Sequence, residues 1–441
     1  MQIQKLISII PEKYISNNRL EKITQLIPYV LLGIFVIFFL STHAPNIDYD
    51  SPSYIHFDPV RPLIYPTFIW FFHWMGRFQF EAVVWVQSAI TFSSFMYARY
   101  WLKKYCQLSD WLIFFVILFL LITVSLHFQM FYLESEGLSF PLFIVTFFIL
   151  VECFQKFQLK RIALLAFLSS ILVLTRLQFY FLYPIFALLL YRHFLNKTPI
   201  KPLVIAFFIL IGSIFLTQLI DRSYHYFKHG FFGSAPYSGL ITSIQPLYLA
   251  GKEAPNYFQN PREKEIVMEI VEKMDQKKLM RSSALLASFK LQYYEYAYEE
   301  YYKNYVVIQG IIMNATESFS LLERNKITTD IAKTLMLHQF KKNLLFYGWK
   351  VIEEFGGVPV FLFYCLILLS VLINLLGKDK NRCVDFACYF IGAGVLLTFS
   401  NALLVAVAEP ALAGYFCYSQ FILYCLAALL ADRMILKSQK F

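Results

Sequence analysis

Long apolar runs alternate with short polar segments along most of this chain. The runs lie at 26–42, 82–102, 111–128, 138–155, 162–175, 177–191, 202–220, 357–377, 384–404 and 412–431. Most are about 15–22 residues long, which is the length of α-helix that crosses the hydrocarbon core of a bilayer. The pattern therefore predicts an all-α protein, a polytopic transmembrane helical bundle of about ten spans.

Composition narrows the class of protein. Hydrophobic residues make up 58% of the chain and charged residues only 15%, which excludes an ordinary soluble protein. The net charge of +10 does not indicate nucleic acid as a partner, because basic residues are needed on cytoplasmic loops to fix membrane topology. We therefore expect a membrane protein that contacts lipid and does not bind nucleic acid.

The basic residues predict an orientation. One side of the predicted bundle carries Lys5, Lys13, Arg19, Lys22, Arg99, Lys103, Lys104, Lys156, Lys160, Arg161, Arg192, Lys197, Lys201, Lys378, Lys380, Arg382, Arg433, Lys437 and Lys440. The short loops of the other side carry only Arg61, Arg77 and Arg176. The asymmetry predicts that both termini are cytoplasmic, in a bacterial inner or plasma membrane. The first apolar run has no small-residue cleavage site and is expected to remain as a signal anchor.

The segment 221–356 differs from the rest because it mixes both charge signs and is rich in tyrosine. Apolar residues recur in it at helical spacing, at Ile266, Val267, Ile270, Val271 and Met274, and again at Leu337, Phe340 and Leu344. We predict an extracytoplasmic helical domain on the membrane face, with an irregular lead-in over 236–261 where prolines and glycines concentrate. The sequence then divides into three parts. Residues 1–220 form a transmembrane module with catalytic outer loops, residues 221–356 form the outer domain, and residues 357–441 form the C-terminal transmembrane helices.

Acidic residues collect on the predicted outer side. Asp48 and Asp50 follow the first run, and Tyr54 lies four residues after Asp50, on one face of a short helix. One interpretation makes Asp50 a general base that takes a proton from an attacking hydroxyl. The other makes it a solvated loop carboxylate or a helix cap.

Glu134 and Glu136 stand at the outer end of the fourth run. With Asp48 or Asp50, such a carboxylate could hold a hard divalent cation, Mg²⁺ or Mn²⁺. The alternative is a carboxylate stabilised by a helix N-terminus. His56, His225 and His229, on the same side, are weak further metal candidates, and Glu409 is an isolated acid before a proline.

Two arginines on this side suit an anionic partner. Arg176 lies between the fifth and sixth runs, and Arg61 lies in the first outer loop. The planar guanidinium group matches a lipid phosphate or pyrophosphate. A salt bridge to one of the carboxylates, or a side chain that reaches up to the lipid headgroups, is the alternative for Arg176.

Three short motifs resemble the GT-C superfamily of polytopic glycosyltransferases, especially bacterial relatives of protein mannosyltransferases and lipid A aminoarabinose transferases. Asp50-Ser51-Pro52-Ser53-Tyr54 is similar to the family's Asp-Glu-x-x-Tyr, with serine in place of glutamate. Arg61-Pro62-Leu63-Ile64-Tyr65-Pro66 resembles Arg-Pro-Pro-x-Tyr-Pro, and Ser135-Glu136-Gly137-Leu138 resembles the Ser-Glu-x-Leu of the second outer loop. The likeness covers roughly the first half of the chain.

The resemblance implies transfer of a sugar from a polyprenyl-phosphate donor to a glycan, lipid or protein acceptor outside the cytoplasm. Asp50 would be the catalytic acid and Glu136 the second-loop acid, with Asp48 as a further catalytic candidate. Substrate would contact Tyr54, Arg61, Tyr65 and Glu134. Arg176 matches no motif of the family, and its contact with substrate phosphate is inferred from its position alone. A metal between Asp50 and Glu136 is likewise inferred from the carboxylates, since serine replaces the family's glutamate after Asp50. Two alternatives stay open: an O-antigen-type polymerase or ligase that uses Arg222, Arg262 and Arg281, and a transporter or flippase of lipid-linked sugar.

Overall fold

The computed structural model describes residues 23–126, 130–280, 291–376, 386–410 and 413–438, and these residues fold into 17 α-helices without a β-strand. Before the outer segment come α1 (Ile27–Thr42), α2 (Ser51–Ile55), α3 (Ile64–Phe71), α4 (Gln79–Tyr105), α5 (Asp110–Leu120), α6 (Glu136–Gln155), α7 (Leu159–Thr175), α8 (Tyr183–Leu195) and α9 (Ile200–His229). Then follow α10 (Ser238–Ala250), α11 (Pro261–Gln276), α12 (Leu291–Ala315), α13 (Leu321–His338), α14 (Phe340–Glu354), α15 (Val358–Leu376), α16 (Phe386–Ala408) and α17 (Ala413–Ser438). The prediction of an all-α protein is confirmed.

Within the described residues, the predicted spans fall largely on helix, but not every helix is long and apolar enough to cross a bilayer alone. Among the described residues, four helices meet that requirement: α6, α9, α16 and, over Tyr415–Ile435, α17. A fifth crossing results if α14 and the adjoining Val358–Val371, which are bent by 86°, form one span. The structure thus supports a membrane protein with four or five candidate spans, and about ten crossings stays a prediction.

Helix α6 is the centre of the bundle. Its side chains are buried on all sides, including Phe140, Phe143 and Phe148, which is the pattern of a helix surrounded by other helices rather than by lipid. By contrast, α9 exposes many large apolar residues along its length, as a helix at the periphery of a membrane bundle does. The functional residues at the N-terminal end of α6 are therefore held by a rigid core.

The chain breaks at Arg176. Helix α7 ends at Thr175, Arg176 is extended (φ −156°, ψ 120°), and a 3₁₀ turn over Leu177–Leu182 leads into α8. The predicted fifth and sixth spans abut at this residue, and the break directs the Arg176 side chain to the end of the bundle where α6 begins.

The outer segment has a hydrophobic core of its own. Buried residues between 240 and 349 form one cluster, separate from the cluster built by 29–210 and 351–429. Helix α11 buries Ile266, Val267, Ile270, Val271 and Met274, so the predicted apolar face packs as expected. The transition into this part lies within α9, which runs continuously through residue 220.

One expectation about this segment was wrong. Residues 238–250, predicted to be irregular, form α10 with Pro246 inside it, because Leu240, Ile244 and Leu247 are buried in the second core and burial outweighs the low helix propensity of proline. Leu337, Phe340 and Leu344 lie on helices as their spacing predicts, but on two helices, because the chain turns at Gln339 between α13 and α14, and all three are exposed.

The opposite end of the bundle carries its own polar contacts. Asp110 pairs with Arg99 and Lys103, Glu152 pairs with Arg161, and Ser109 bonds to Asp432. These residues belong to the end predicted to face the cytoplasm. Lys5, Lys13, Arg19, Lys22, Lys378, Lys380, Arg382 and Lys440 of the predicted topology, and Arg281 of the polymerase alternative, lie outside the described residues.

Candidate functional site

Two outer loops are joined by backbone hydrogen bonds. Asn46 N donates to Phe131 O at 2.7 Å, and Leu133 N donates to Asn46 O at 3.1 Å. This short parallel bridge holds the segment that carries Asp48 and Asp50 against the segment that carries Glu134 and Glu136. Acidic residues far apart in sequence are thereby brought to one end of the bundle.

Asp50 lies at the outer edge of this site, directly before α2. Its carboxylate forms an ion pair with Arg61, with 2.6 Å between Oδ1 and Nη2. Half of the Asp50 side chain is exposed to solvent, so a ligand that approaches from outside meets this pair first. The position is suitable for a group that must reach a substrate.

Arg61 is held on three sides. Its Nε donates to Ser53 Oγ at 2.7 Å, its Nη1 donates to the Tyr54 hydroxyl at 3.1 Å, and its guanidinium lies 4.3 Å from the centre of the Tyr54 ring. The short helix α2 supplies both Ser53 and Tyr54. Arg61 is therefore fixed in direction and neutralised by Asp50.

Behind Arg61 the contacts run into the protein. The buried Tyr54 hydroxyl donates to Ser135 Oγ at 3.0 Å, and the Ser135 hydroxyl donates to Glu136 Oε2 at 3.1 Å. Glu136 is in the first turn of α6, where the helix dipole stabilises a carboxylate. It forms an ion pair with Arg176, and Arg176 Nη1 also donates to Ser135 at 3.3 Å.

Arg176 is fixed from the other side by the C-terminal helices. Its Nε donates to Gln178 Oε1 at 3.0 Å, and its guanidinium lies 4.5 Å from the centre of the Tyr415 ring. Gln178 is itself held by Asn401 Oδ1 at 2.6 Å and by the Tyr415 carbonyl. Helices α7, α16 and α17 thus position one guanidinium.

The result is one continuous chain of polar contacts, Asp50–Arg61–Tyr54–Ser135–Glu136–Arg176. It begins at a half-exposed carboxylate and ends at a buried arginine. Each arginine is paired with one carboxylate, so an anionic ligand could replace a carboxylate at either guanidinium without leaving the arginine unpaired. The displaced carboxylate would then be free to accept a proton.

Glu134 lies close to the other acids. Burial raises the pKa of its carboxyl to about 8, and repulsion from Glu136, Asp48 and Asp50 acts in the same direction against the opposing effect of Arg176. The acids of the two loops are therefore near enough to influence each other.

Two predicted residues are placed differently from the rest. Asp48 is exposed and caps its own loop, where Oδ1 accepts from Tyr49 N at 2.6 Å. Tyr65 is fully buried, and its hydroxyl donates to Gln87 Oε1 at 3.2 Å while its ring packs edge-on against Tyr54. Tyr65 therefore packs against Tyr54 inside the protein and has no access to solvent.

The described residues contain no group of three or more His, Cys, Asp and Glu side chains that could hold a metal ion. Asp50 and Glu136 each face an arginine, an arrangement that does not fit a divalent cation between them. His225 is buried and stacked against Phe231. A metal requirement stays a prediction.

Glu409 connects the site to the outer segment. Burial raises the pKa of its carboxyl, and the nearby hydroxyls of Tyr305 and of Tyr415, the same tyrosine that lies against Arg176, act in the opposite direction. Tyr237, just before α10, is within electrostatic range of both Asp50 and Arg61. The outer segment therefore contributes residues to the surroundings of the site.

Sequence reasoning did not single out Gln178, Asn401 and Tyr415, and Ser135 was noted only as part of a motif. Gln178 and Asn401 are polar residues inside apolar runs, and that signal could have identified them, because such residues in membrane helices pair with each other. Tyr415 gave no signal, since tyrosine is frequent throughout this chain.

Comparisons of the chain with family models, with curated proteins and with solved structures give no match.

Proposed function

We propose that this protein is a membrane glycosyltransferase that moves a sugar from a polyprenyl-phosphate donor to a hydroxyl acceptor at the bundle end where Asp50 lies. The observation that carries the proposal is the contact chain from the half-exposed Asp50 to the buried Arg176. A lipid-phosphate donor presents its anionic group at the membrane surface, and the site offers two guanidinium groups together with carboxylates at the end of the bundle.

In the proposed reaction, the Asp50 carboxylate removes the proton from the acceptor hydroxyl. The hydroxyl oxygen attacks the anomeric carbon of the sugar, and the bond between that carbon and the phosphate oxygen breaks. The phosphate leaves with the electron pair and remains bound to the lipid. An arginine stabilises the negative charge that develops on the leaving phosphate.

The ion pair between Asp50 and Arg61 gives this reaction an order. While Arg61 is paired with Asp50, the guanidinium occupies one oxygen of the carboxylate and keeps it from an acceptor hydroxyl. Donor phosphate that binds Arg61 withdraws the guanidinium from Asp50 and leaves the carboxylate free to accept a proton. Base activation would then follow donor binding, so the acceptor hydroxyl would lose its proton only when a donor is in place.

The surface beside Arg61 suits the lipid part of the donor. Helix α3 begins three residues after Arg61, and its outer side, with the turn that follows, exposes Trp70, Phe71 and Trp74. Tryptophan is favoured where hydrocarbon meets headgroups. A polyprenyl chain could lie along this surface with its phosphate at Arg61.

The test is Asp50→Asn in purified protein reconstituted into bilayers with lipid-linked sugars extracted from the source membranes. We expect turnover, measured as release of free polyprenyl phosphate, to fall roughly a hundredfold or more, because the general base is lost. The matched control is Glu81→Gln, an exposed acid in the first turn of α4, which should retain turnover.

A second measurement separates binding from chemistry. Arg61→Ala should weaken binding of polyprenyl phosphate, whereas Asp50→Asn should leave binding intact or strengthen it. Full turnover in Asp50→Ala, together with loss of turnover in Arg262→Ala, would instead indicate the polymerase or ligase. Movement of lipid-linked sugar across the bilayer without formation of a glycosidic bond would indicate a transporter.

A further inference from the structure

Helix α14 has two faces that differ in their surroundings. Phe346 and Trp349 are buried in the second hydrophobic core, so one face belongs to the outer segment. On the other face Phe340 is 63% exposed and Leu344 is 52% exposed, and Leu337, at the end of α13, is 76% exposed. Phe340 and Leu344 lie one turn apart on α14, and Leu337 precedes them across the turn at Gln339; these three exposed apolar side chains form the strip.

This strip continues onto a candidate membrane span. Tyr347, three residues after Leu344, donates its hydroxyl hydrogen to the Leu403 carbonyl of α16 at 2.7 Å. Leu403 and Val407, one turn apart near the outer end of α16, are each 45% exposed. If α16 crosses a bilayer, these two residues face lipid, and the exposed face of α14 adjoins that surface.

The direction of α14 agrees with a position at the bilayer surface. It is bent by 86° from the apolar helix that begins at Val358. A helix at a right angle to a membrane span lies in the plane of the membrane. Three polar residues of the same helix, Asn343, Lys350 and Glu354, are buried within protein and not available to hydrocarbon. The helix is therefore suited to the interface and not to the bilayer interior.

We propose that the face formed by Leu337, Phe340 and Leu344 inserts into the headgroup boundary of the bilayer and anchors the outer segment to the membrane. The partner is a phospholipid surface, because the strip is apolar, lies on an in-plane helix and continues from a span. Anchored in this way, the outer segment keeps Tyr305 and Tyr237 beside the site. The proposal does not depend on the reaction that the site carries.

The experiment uses the unaltered protein in phospholipid bilayers, with either of two photoactivatable phospholipids. One carries a diazirine close to the headgroup and the other carries it at the end of an acyl chain. After illumination, mass spectrometry locates the labelled peptides. The control is α11, where Met268 is 53% exposed on the outer segment but is not part of the strip.

We expect the headgroup-proximal probe to label 337–345 at least tenfold more than the peptide that contains Met268. Equal labelling of the two regions, or no labelling of 337–345, would overturn the proposal. Labelling of 337–345 mainly by the chain-terminal probe would also overturn it, because α14 would then enter the bilayer as half of a broken span.

Discussion

At the scale of single residues, the site is defined by which charges are paired. The sequence placed Asp50, Arg61, Glu136 and Arg176 on one side of the chain, and the structure brings them into one contact chain. The pairing itself could not be predicted. It depends on the backbone bridge at Asn46 and on the break at Arg176, and neither has a sequence signature that specifies a partner.

Glu134 should make stability depend on pH. Its pKa is about 8 in the folded protein, above the ordinary value of 4.5, because of burial and the neighbouring acids. Between these values the folded state binds more protons than the unfolded state, so stability falls as pH rises from about 4.5 to about 8. We expect the unfolding temperature of the detergent-solubilised protein to decrease over this window.

The variant Glu134→Gln isolates that contribution. It should show a smaller decrease in unfolding temperature between these pH values, and it should be more stable than the wild type at the upper end. Glu81→Gln, with an exposed carboxylate, should follow the wild-type curve. An unchanged slope in Glu134→Gln would show that Glu134 does not titrate in this range.

At the scale of helices, the sequence predicted the positions of the helices more accurately than it predicted which surfaces pack against them. Apolar runs located the membrane-type helices because the run length and the helix length are set by the same hydrophobic requirement. The sequence prediction failed at α10, where Pro246 and the glycines predicted irregular structure. The deciding fact is which surface the segment packs against, and that is tertiary information.

Gly239 should be essential for the packing of α10 on α13. A Cβ atom there would overlap with the Asn325 carbonyl oxygen and with the Thr328 and Thr329 hydroxyls, so these groups would have to move. The Gly239 N–H also donates to Asn325 Oδ1 at 2.8 Å, which fixes the close approach. We expect Gly239→Ala to lower the free energy of unfolding by about 1–3 kcal/mol through overpacking, measured by chemical denaturation in detergent.

The matched control is Gly310→Ala in α12, where an added Cβ meets no atom within 4 Å. Because alanine is the better helix former, this variant should be neutral or more stable by up to about 1 kcal/mol. Equal effects of the two substitutions would mean that the α10–α13 contact is looser than described.

At the scale of the whole molecule, the structure separates two polar ends of an apolar bundle. One end holds Asp110 with its basic partners, and the other holds the site and the outer segment. The charge asymmetry of the sequence predicted such a division. The number of crossings and their direction through the bilayer are set by lipid as well as by protein, so a fold alone does not decide them.

Reporter fusions test the orientation. We expect alkaline phosphatase inserted at residue 260, before α11, to be active because the outer segment is exported. A fluorescent protein fused after residue 441 should be fluorescent because the C-terminus is cytoplasmic. The reverse pair of results would invert the predicted topology and would place the site on the cytoplasmic side.

The contacts of Arg176 carry a consequence for biosynthesis. They are supplied by Ser135, Glu136, Gln178 and, near the end of the chain, Tyr415. A ribosome-bound nascent chain must therefore reach α17 before this guanidinium is fully enclosed. Chains that lack α17 cannot complete the contacts around Arg176, so we expect them to lack whatever activity the site carries.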